Sequence, residues 1–393
     1  MRIGASISST GDSQQAIERI IEEAAAPLAG ARPDWGLFFA ANHFEDEFAS
    51  AAAEIRKRTG VRTLIGSTGE GIIGSSAEVE RQPAMSLWLT EMPRTEVRPF
   101  RIDQADLEVI DSPEAFARLV SVRPDEQSTL IVLADPFSFH ISAFLDAVNE
   151  CLPGTPVVGG MASGVEAPQQ AVLVHNDEHQ REGAVGVALV GPAPVAAVVS
   201  QGCRPIGDPF VITAAEENIV KQLGGRPALS MLNRVFAGAD AEEKRLMQQG
   251  IFVGQVINEC KERFGRGDFL VRNLLGADQK SGALAIGDFA RVGRTIQFHV
   301  RDAKSADEDL RAMLDAQREP PPVGALLFTC NGRGTRLFPQ PSHDLLTLHE
   351  IFGPIPTAGL FCAGELGPIG GRNFIHGHTA SVALFRPEPA PAE

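Results

Sequence analysis

Arg333 stands between two glycines in Cys330-Asn331-Gly332-Arg333-Gly334, at the end of an apolar run of strand length. A guanidinium held there can clamp a carboxylate or phosphate through two parallel hydrogen bonds, and Asn331 beside it both donates and accepts. Further on, Cys362-Ala363-Gly364-Glu365 ends a second apolar run with a carboxylate next to glycine. Ser67-Thr68-Gly69-Glu70 repeats that arrangement in the N-terminal half. A guanidinium on one side and carboxylates on the other suit a zwitterion. On spacing alone the plainer reading stays open, with Arg333, Glu365 and Glu70 as solvated turn residues. The glycine spacing matches neither a Walker loop nor a dinucleotide fingerprint.

Cys330 and Cys362 end strands expected to face one another. With His376 or His378 as base, either could act as a nucleophile in acyl or amide chemistry; the other role for a free cysteine is that of a small buried hydrophobe. His376-Gly377-His378 offers two imidazoles on one strand face, short of the three protein ligands of a catalytic zinc. No metal or cofactor is expected. There is no Gly-x-Ser-x-Gly elbow, and the absence of tyrosine, against 22 phenylalanines, removes phenolic acids and nucleophiles.

These residues need strands that stop at glycines, and the chain supplies them three times. Gly36–Ala40 leads through a helical stretch to Leu64–Glu70; Thr129–Ala134 leads through another to Pro156–Gly164; Gly324–Cys330 leads through a third to Pro356–Glu365. Glycine at a strand end leaves backbone N–H groups uncovered, so the three ends suggest a shared pocket. Between these units lie meanders such as Ala171–Val174, Ala184–Val190 and Val195–Ser200. The fold class expected is α/β (α+β): mixed β-sheets covered by helices, in two related halves with repeated strand–helix–strand units. Gln201–Gly207, with two glycines and a proline, is read as a boundary between domains 1–200 and 201–386. The proline-rich tail 387–393 is expected to be disordered.

With 393 residues, 44% of them apolar, the chain has ample material for two cores. A net charge of −15 with no basic stripe argues against nucleic acid as a partner. The five cysteines are odd in number and lack a Cys-x-x-Cys pair, which fits a reducing compartment. The N-terminus carries no apolar signal core, and glycines and prolines interrupt the longest apolar stretch, Ala184–Val199. A cytoplasmic protein without membrane contact is expected.

The same motifs resemble the FIST family of intracellular sensory proteins, which carry an N-terminal and a C-terminal FIST domain. The matching stretches are Ile65–Glu70, Pro156–Gly160 and Gln201–Gly207 in the first half, then Phe269–Gly276, Val300–Asp302, Cys330–Gly334 and Gly364–Pro368 in the second. The resemblance spans about residues 30–385, although Ser67-Thr68 is shorter than the family's usual run before the Gly-Glu pair. It implies signal transduction through binding of a small molecule, an amino acid or similar carboxylate, rather than catalysis. The ligand-binding set expected is Asn331, Arg333, Gly334, Cys362, Gly364, Glu365, Ser67, Thr68 and Glu70. Without an output domain, such a sensor would signal through a separate protein partner. A cysteine-dependent acyl or amide enzyme and an interaction scaffold remain the alternatives.

Overall fold

In the computed structural model, which describes residues 1–191 and 195–387, the chain divides into two compact units. Unit 1 comprises Met1–Val199, Leu310–Ile375 and the chain from Thr379 onward; unit 2 comprises Ser200–Asp309 and His376–His378. From residue 388 the expected disordered tail lies outside the described residues.

Unit 1 runs one strand–helix pattern three times. The first run is β1 (Arg2–Ser8), α1 (Ser13–Ala25), β2 (Trp35–Ala41), α2 (Phe48–Thr59), β3 (Thr63–Gly69), β4 (Gly71–Ile73), β5 (Glu78–Glu80) and β6 (Met85–Glu91). The second is β7 (Glu96–Ile102), α3 (Gln104–Glu108), α4 (Pro113–Leu119), β8 (Ser128–Ala134), α5 (Ile141–Cys151), β9 (Val157–Met161), β10 (Leu173–His175), β11 (Glu178–Gln180) and β12 (Ala184–Val190). The third opens with β13 (Val195–Gln201), and the chain then passes into unit 2. There it forms β14 (Cys203–Glu216), β15 (Ile219–Leu223), β16 (Arg226–Pro227), α6 (Ala228–Gly238), α7 (Ala241–Gln249), β17 (Phe252–Val256), β18 (Phe269–Ala277), β19 (Leu284–Ile286) and β20 (Thr295–Arg301). The third run resumes with α8 (Ala303–Asp315), β21 (Gly324–Cys330), α9 (His343–Phe352), β22 (Thr357–Cys362), β23 (Glu365–Ile369), β24 (Arg372–His376) and β25 (Thr379–Phe385).

Local chemistry accounts for the helices. In α1, Ala16, Ile17, Ile20, Ile21 and Ala24 bury one face, and Asp12 accepts from Gln15 N at the N-cap. Ser112 caps α4 in the same way, ahead of Pro113 at the first helical position.

Each run builds a six-stranded sheet in the same order, finished by a hairpin from another run. The sheets are β1-β6-β2-β3-β10-β11, β7-β12-β8-β9-β23-β24 and β13-β25-β21-β22-β4-β5. The exchange is cyclic. The first run lends β4–β5 to the third, the third lends β23–β24 to the second, and the second lends β10–β11 to the first. One hydrogen bond latches every borrowed hairpin to the start of the second parallel strand: Leu64 N donates to Asn176 Oδ1 (3.0 Å), Val157 N to Asn373 Oδ1 (2.8 Å) and Thr357 N to Ser75 Oγ (3.0 Å).

The repeated glycines serve this packing. In the parallel pairs, Gly66 lies beside Phe38, Gly159 beside Val132 and Gly359 beside Leu327. A Cβ on any of the three would collide with the carbonyl oxygen of that neighbour. The inner faces of all three sheets share one apolar core, including Trp35, Phe39, Leu133, Val158, Phe328 and Leu360. The outer faces are covered by α1 and α2, by α4 and α5, and by α8 and α9. Mixed sheets under helices are the architecture expected from the sequence.

In unit 2 the strand order β14-β20-β17-β18-β19-β15-β16, with β14 also pairing β15, closes a small barrel around Ile212, Val253, Ile296 and Phe298. Among the described residues, no helix is long and apolar enough to cross a membrane.

Candidate functional site

The three glycine-rich strand ends converge as anticipated, but they fill the space between them. Met161 N donates to Gly364 O (2.9 Å), Ala363 N to Met161 O (3.1 Å), and Glu70 N to Ser163 Oγ (2.9 Å). The Ser163 hydroxyl in turn donates to Phe361 O. A Cβ on Gly160 would strike Cys362 Sγ, and one on Gly364 would press on Ile375. The expected shared pocket is therefore a closed junction, because the missing side chains let backbones approach one another rather than leave room for a ligand. Ser67 and Thr68 are buried in it, with Thr68 Oγ1 accepting from Val172 N (3.0 Å).

Beside the junction lies a dry cluster of charges. Arg333 is fully buried and grips Asp344 at the start of α9, Nε to Oδ2 at 2.7 Å and Nη2 to Oδ1 at 2.8 Å. The two bonds expected for a ligand carboxylate thus go to a protein carboxylate. Thr329 Oγ1 donates to the same Oδ2 (2.7 Å), and His343 Nδ1 lies 3.0 Å from Oδ1. Phe338 stacks on the His343 ring and lies 5.2 Å from the Arg333 guanidinium carbon.

Glu78, from the hairpin lent by the first run, reaches the same place. It caps α9 from outside: Leu345 N donates to Glu78 Oε1 (2.8 Å), while Glu78 N donates to Ser342 Oγ (3.0 Å). Burial, with the Asp344 charge adding to it, pushes the Glu78 carboxyl up to about 8. Glu365, also fully buried, receives Thr379 N (3.1 Å) and Thr379 Oγ1 (2.7 Å) on Oε2 and a hydrogen bond from the Cys330 thiol. Burial outweighs these bonds and pushes it up to about 8. Against the desolvation of its own burial, Arg333 holds Asp344 well below the ordinary carboxylate range.

Cys330 and Cys362 are register partners across the parallel pair, as their strand ends suggested. Burial, with Glu365 nearby, pushes the Cys362 thiol well above its ordinary value, and its Sγ donates to Leu360 O. That environment opposes a thiolate.

A narrow crevice at the rim of the junction, too tight to admit a water molecule, is lined by Glu70, Gly71, Glu80, Asn331, Arg336 and Phe361. Arg336 bridges it, pairing through Nη2 with Glu70 and through Nη1 with Asn331 O (2.9 Å). Glu80 takes Thr335 N (2.8 Å) and Thr335 Oγ1 (2.9 Å), and a Cβ on Gly334 would press on its carboxylate. Asn331 Oδ1 is buried with no partner among the described residues. Of the nine residues expected to bind ligand, Asn331 and Glu70 line the crevice. Arg333, Gly334, Cys362, Gly364, Glu365, Ser67 and Thr68 are buried, Gly364 within the junction itself. Sequence reasoning missed Asp344, Glu78, Glu80 and Arg336. Asp344 had a local signal as an acid in a first helical turn; the partners of the others lie in another run.

Two family models match the chain: the FIST N domain over residues 34–226 and the FIST C domain over 228–368. Among curated relatives, the uncharacterized protein Rv0628c of Mycobacterium tuberculosis strain H37Rv is 39% identical, over 98% of this chain and 100% of the relative. The uncharacterized protein Mb0898c of Mycobacterium bovis is 38% identical, over 98% of this chain and 99% of the relative.

Proposed function

We propose that this chain, which belongs to the FIST family, is a cytoplasmic sensor of a small amino acid-like zwitterion and passes its signal to a separate protein partner. FIST domains are sensory domains in signalling. The ligand's seat is the rim of the strand-end junction. One observation carries it: the Arg336–Glu70 pair crosses the solvent-facing rim and ties the strand end of the first run to that of the third. Both partners are partly exposed, so solvent screens the pair and its own stability is modest.

A zwitterion offers each partner an equivalent charge. Its carboxylate replaces Glu70 on Arg336, and its ammonium replaces Arg336 on Glu70, with Asn331 Oδ1 as a further acceptor. The buried Arg333–Asp344 pair positions the loop that carries both Asn331 and Arg336. Breaking the Arg336–Glu70 tie would loosen one run from another, and that change is what a partner would read.

The test is a thermal-shift and calorimetric screen against amino acids, other carboxylates and amines. A ligand at about one hundred times its Kd adds about 2.7 kcal/mol. A selective response to zwitterions, lost in Arg336→Ala and Glu70→Gln, supports the reading. A response that survives both substitutions overturns this seat, and no response to any amino acid overturns the ligand class.

A further inference from the structure

A second opening lies elsewhere in unit 1, between two sheet edges. Among the described residues, β7 pairs only with β12 and β11 only with β10, so each is an edge of its sheet. Between them is a cavity of about 660 Å³, within the range of small-molecule sites. Arg101, His179 and Arg181 line it together with Ser138, Gln104 and Gln180.

The equivalent place in another run shows what is unusual here. Ile102 pairs with Ala184 as Ser8 pairs with Met85, so Arg101 holds the position of Ile7. Val174 pairs with Gly66 as Ile73 pairs with Gly359, so His175 holds the position of Gly74. Ile7 packs against Gly74 so tightly that a Cβ on the glycine would collide with it. That seam is sealed by an aliphatic side chain on a glycine. At the β7–β11 seam the same two positions carry an arginine and a histidine close enough to feel each other's charge, and the seam stands open.

The charges at this seam are unevenly committed. Glu182 accepts from Gln169 Nε2 (3.1 Å), and the Asp103 carboxylate lies 3.9 Å from Arg101 Nη2. Among the described residues, Arg181 bonds to Glu45 and to Gln169 O through Nη1 alone. Arg101 meets Glu178 at 3.2 Å with both side chains largely exposed, a pair that a competing anion displaces at little cost. His175 Nε2 is buried without a partner among the described residues. The opening is lined by two guanidiniums and the His179 imidazole alongside the carboxylates of Asp103 and Glu182, and the arginine forks match phosphate oxygens. The surrounding amides suit hydroxyl groups.

We propose that the β7–β11 seam is a second small-molecule site, which takes a phosphate monoester carried on a polyol, with Arg101 and Arg181 on the phosphate. It shares no residue with the strand-end rim.

The probe is ribose 5-phosphate, titrated into the full chain by calorimetry and by NMR of the histidine rings, with inorganic phosphate and ribose alongside. Saturable binding is expected for the ester, at least about tenfold weaker for phosphate and absent for ribose. Arg101→Gln and Arg181→Gln should each weaken it by about tenfold or more, while Arg336→Ala leaves it unchanged. The His175 pKa should rise on binding, because the phosphate stabilises the imidazolium. No saturable binding of the ester overturns the proposal. So does binding that both arginine variants leave intact, or that Arg336→Ala abolishes.

Discussion

Arg333 and Asp344 form a two-bond ion pair from which water is fully excluded, each side chain 0% exposed. The pair joins the loop after β21 to the first turn of α9, so it fixes the geometry of the strand-end rim without touching solvent. Its value lies in being complete. Removing one member leaves a buried charge unmatched, which costs far more than removing both.

Arg333→Met or Asp344→Asn should therefore destabilise unit 1 by about 3–5 kcal/mol, measured by urea denaturation. The double variant Arg333→Met/Asp344→Leu should recover much of that loss. A double variant as unstable as the sum of the singles would show that the two residues act independently, and would overturn the pairing argument.

Glu78 and Glu365 make stability depend on pH. Burial raises both carboxyls from an ordinary 4.5 to about 8, so between those values the folded chain holds protons that the unfolded chain has released. Their contribution is fully present below 4.5 and is lost as pH rises through about 8. The slope is about 1.4 kcal/mol per pH unit for each group. Asp344 acts in the opposite sense, and its contribution is lost only as pH falls below the ordinary 3.8 toward its depressed value. Below about pH 6.5 the buried imidazoles of His299 and His378, both held down to about 4, act in the opposite sense, so urea midpoints should fall between about pH 6.5 and about pH 8, and Glu365→Gln should flatten that fall. A slope unchanged by Glu365→Gln and by Glu78→Gln would reject this assignment.

The three register-equivalent glycines should be intolerant of a methyl group. Gly66→Ala, Gly159→Ala and Gly359→Ala each drive a Cβ into the adjacent backbone carbonyl, at a cost of about 3 kcal/mol or more. Gly238→Ala is the control, since its Cβ would meet nothing within 4 Å. Equal denaturation midpoints for Gly359→Ala and the control would contradict the close approach.

Thiol labelling separates the cysteines. Cys260 is exposed and should alkylate readily in the native protein, whereas Cys362 should react only after unfolding. Mass spectrometry of briefly treated protein reads this directly. Early modification of Cys362 would revive a nucleophilic role for it.

The sequence by itself determined the local elements and several facing pairs. Apolar periodicity with a capping aspartate marked α1, and strand-length apolar runs ending in glycine marked the three parallel pairs. Cys330 and Cys362 could be placed opposite each other because both close such runs. Each of these features depends on a few neighbouring residues, and the backbone geometry of helix and strand is enough to read them.

Tertiary structure alone decided where the polar groups go. Nothing near Arg333 in the chain says that its partner is Asp344 rather than a ligand, or that Glu78 from another run caps the same helix. Nor does any local signal show that the borrowed hairpins pass cyclically among the sheets, or that residues 310–375 return to the first unit after a barrel is formed. Those outcomes depend on contacts between residues distant in sequence. The same glycines that leave backbone exposed in a lone strand are, in the folded chain, the places where another backbone fits. A junction closes there, and an opening forms instead at a seam where an arginine and a histidine replace an isoleucine and a glycine.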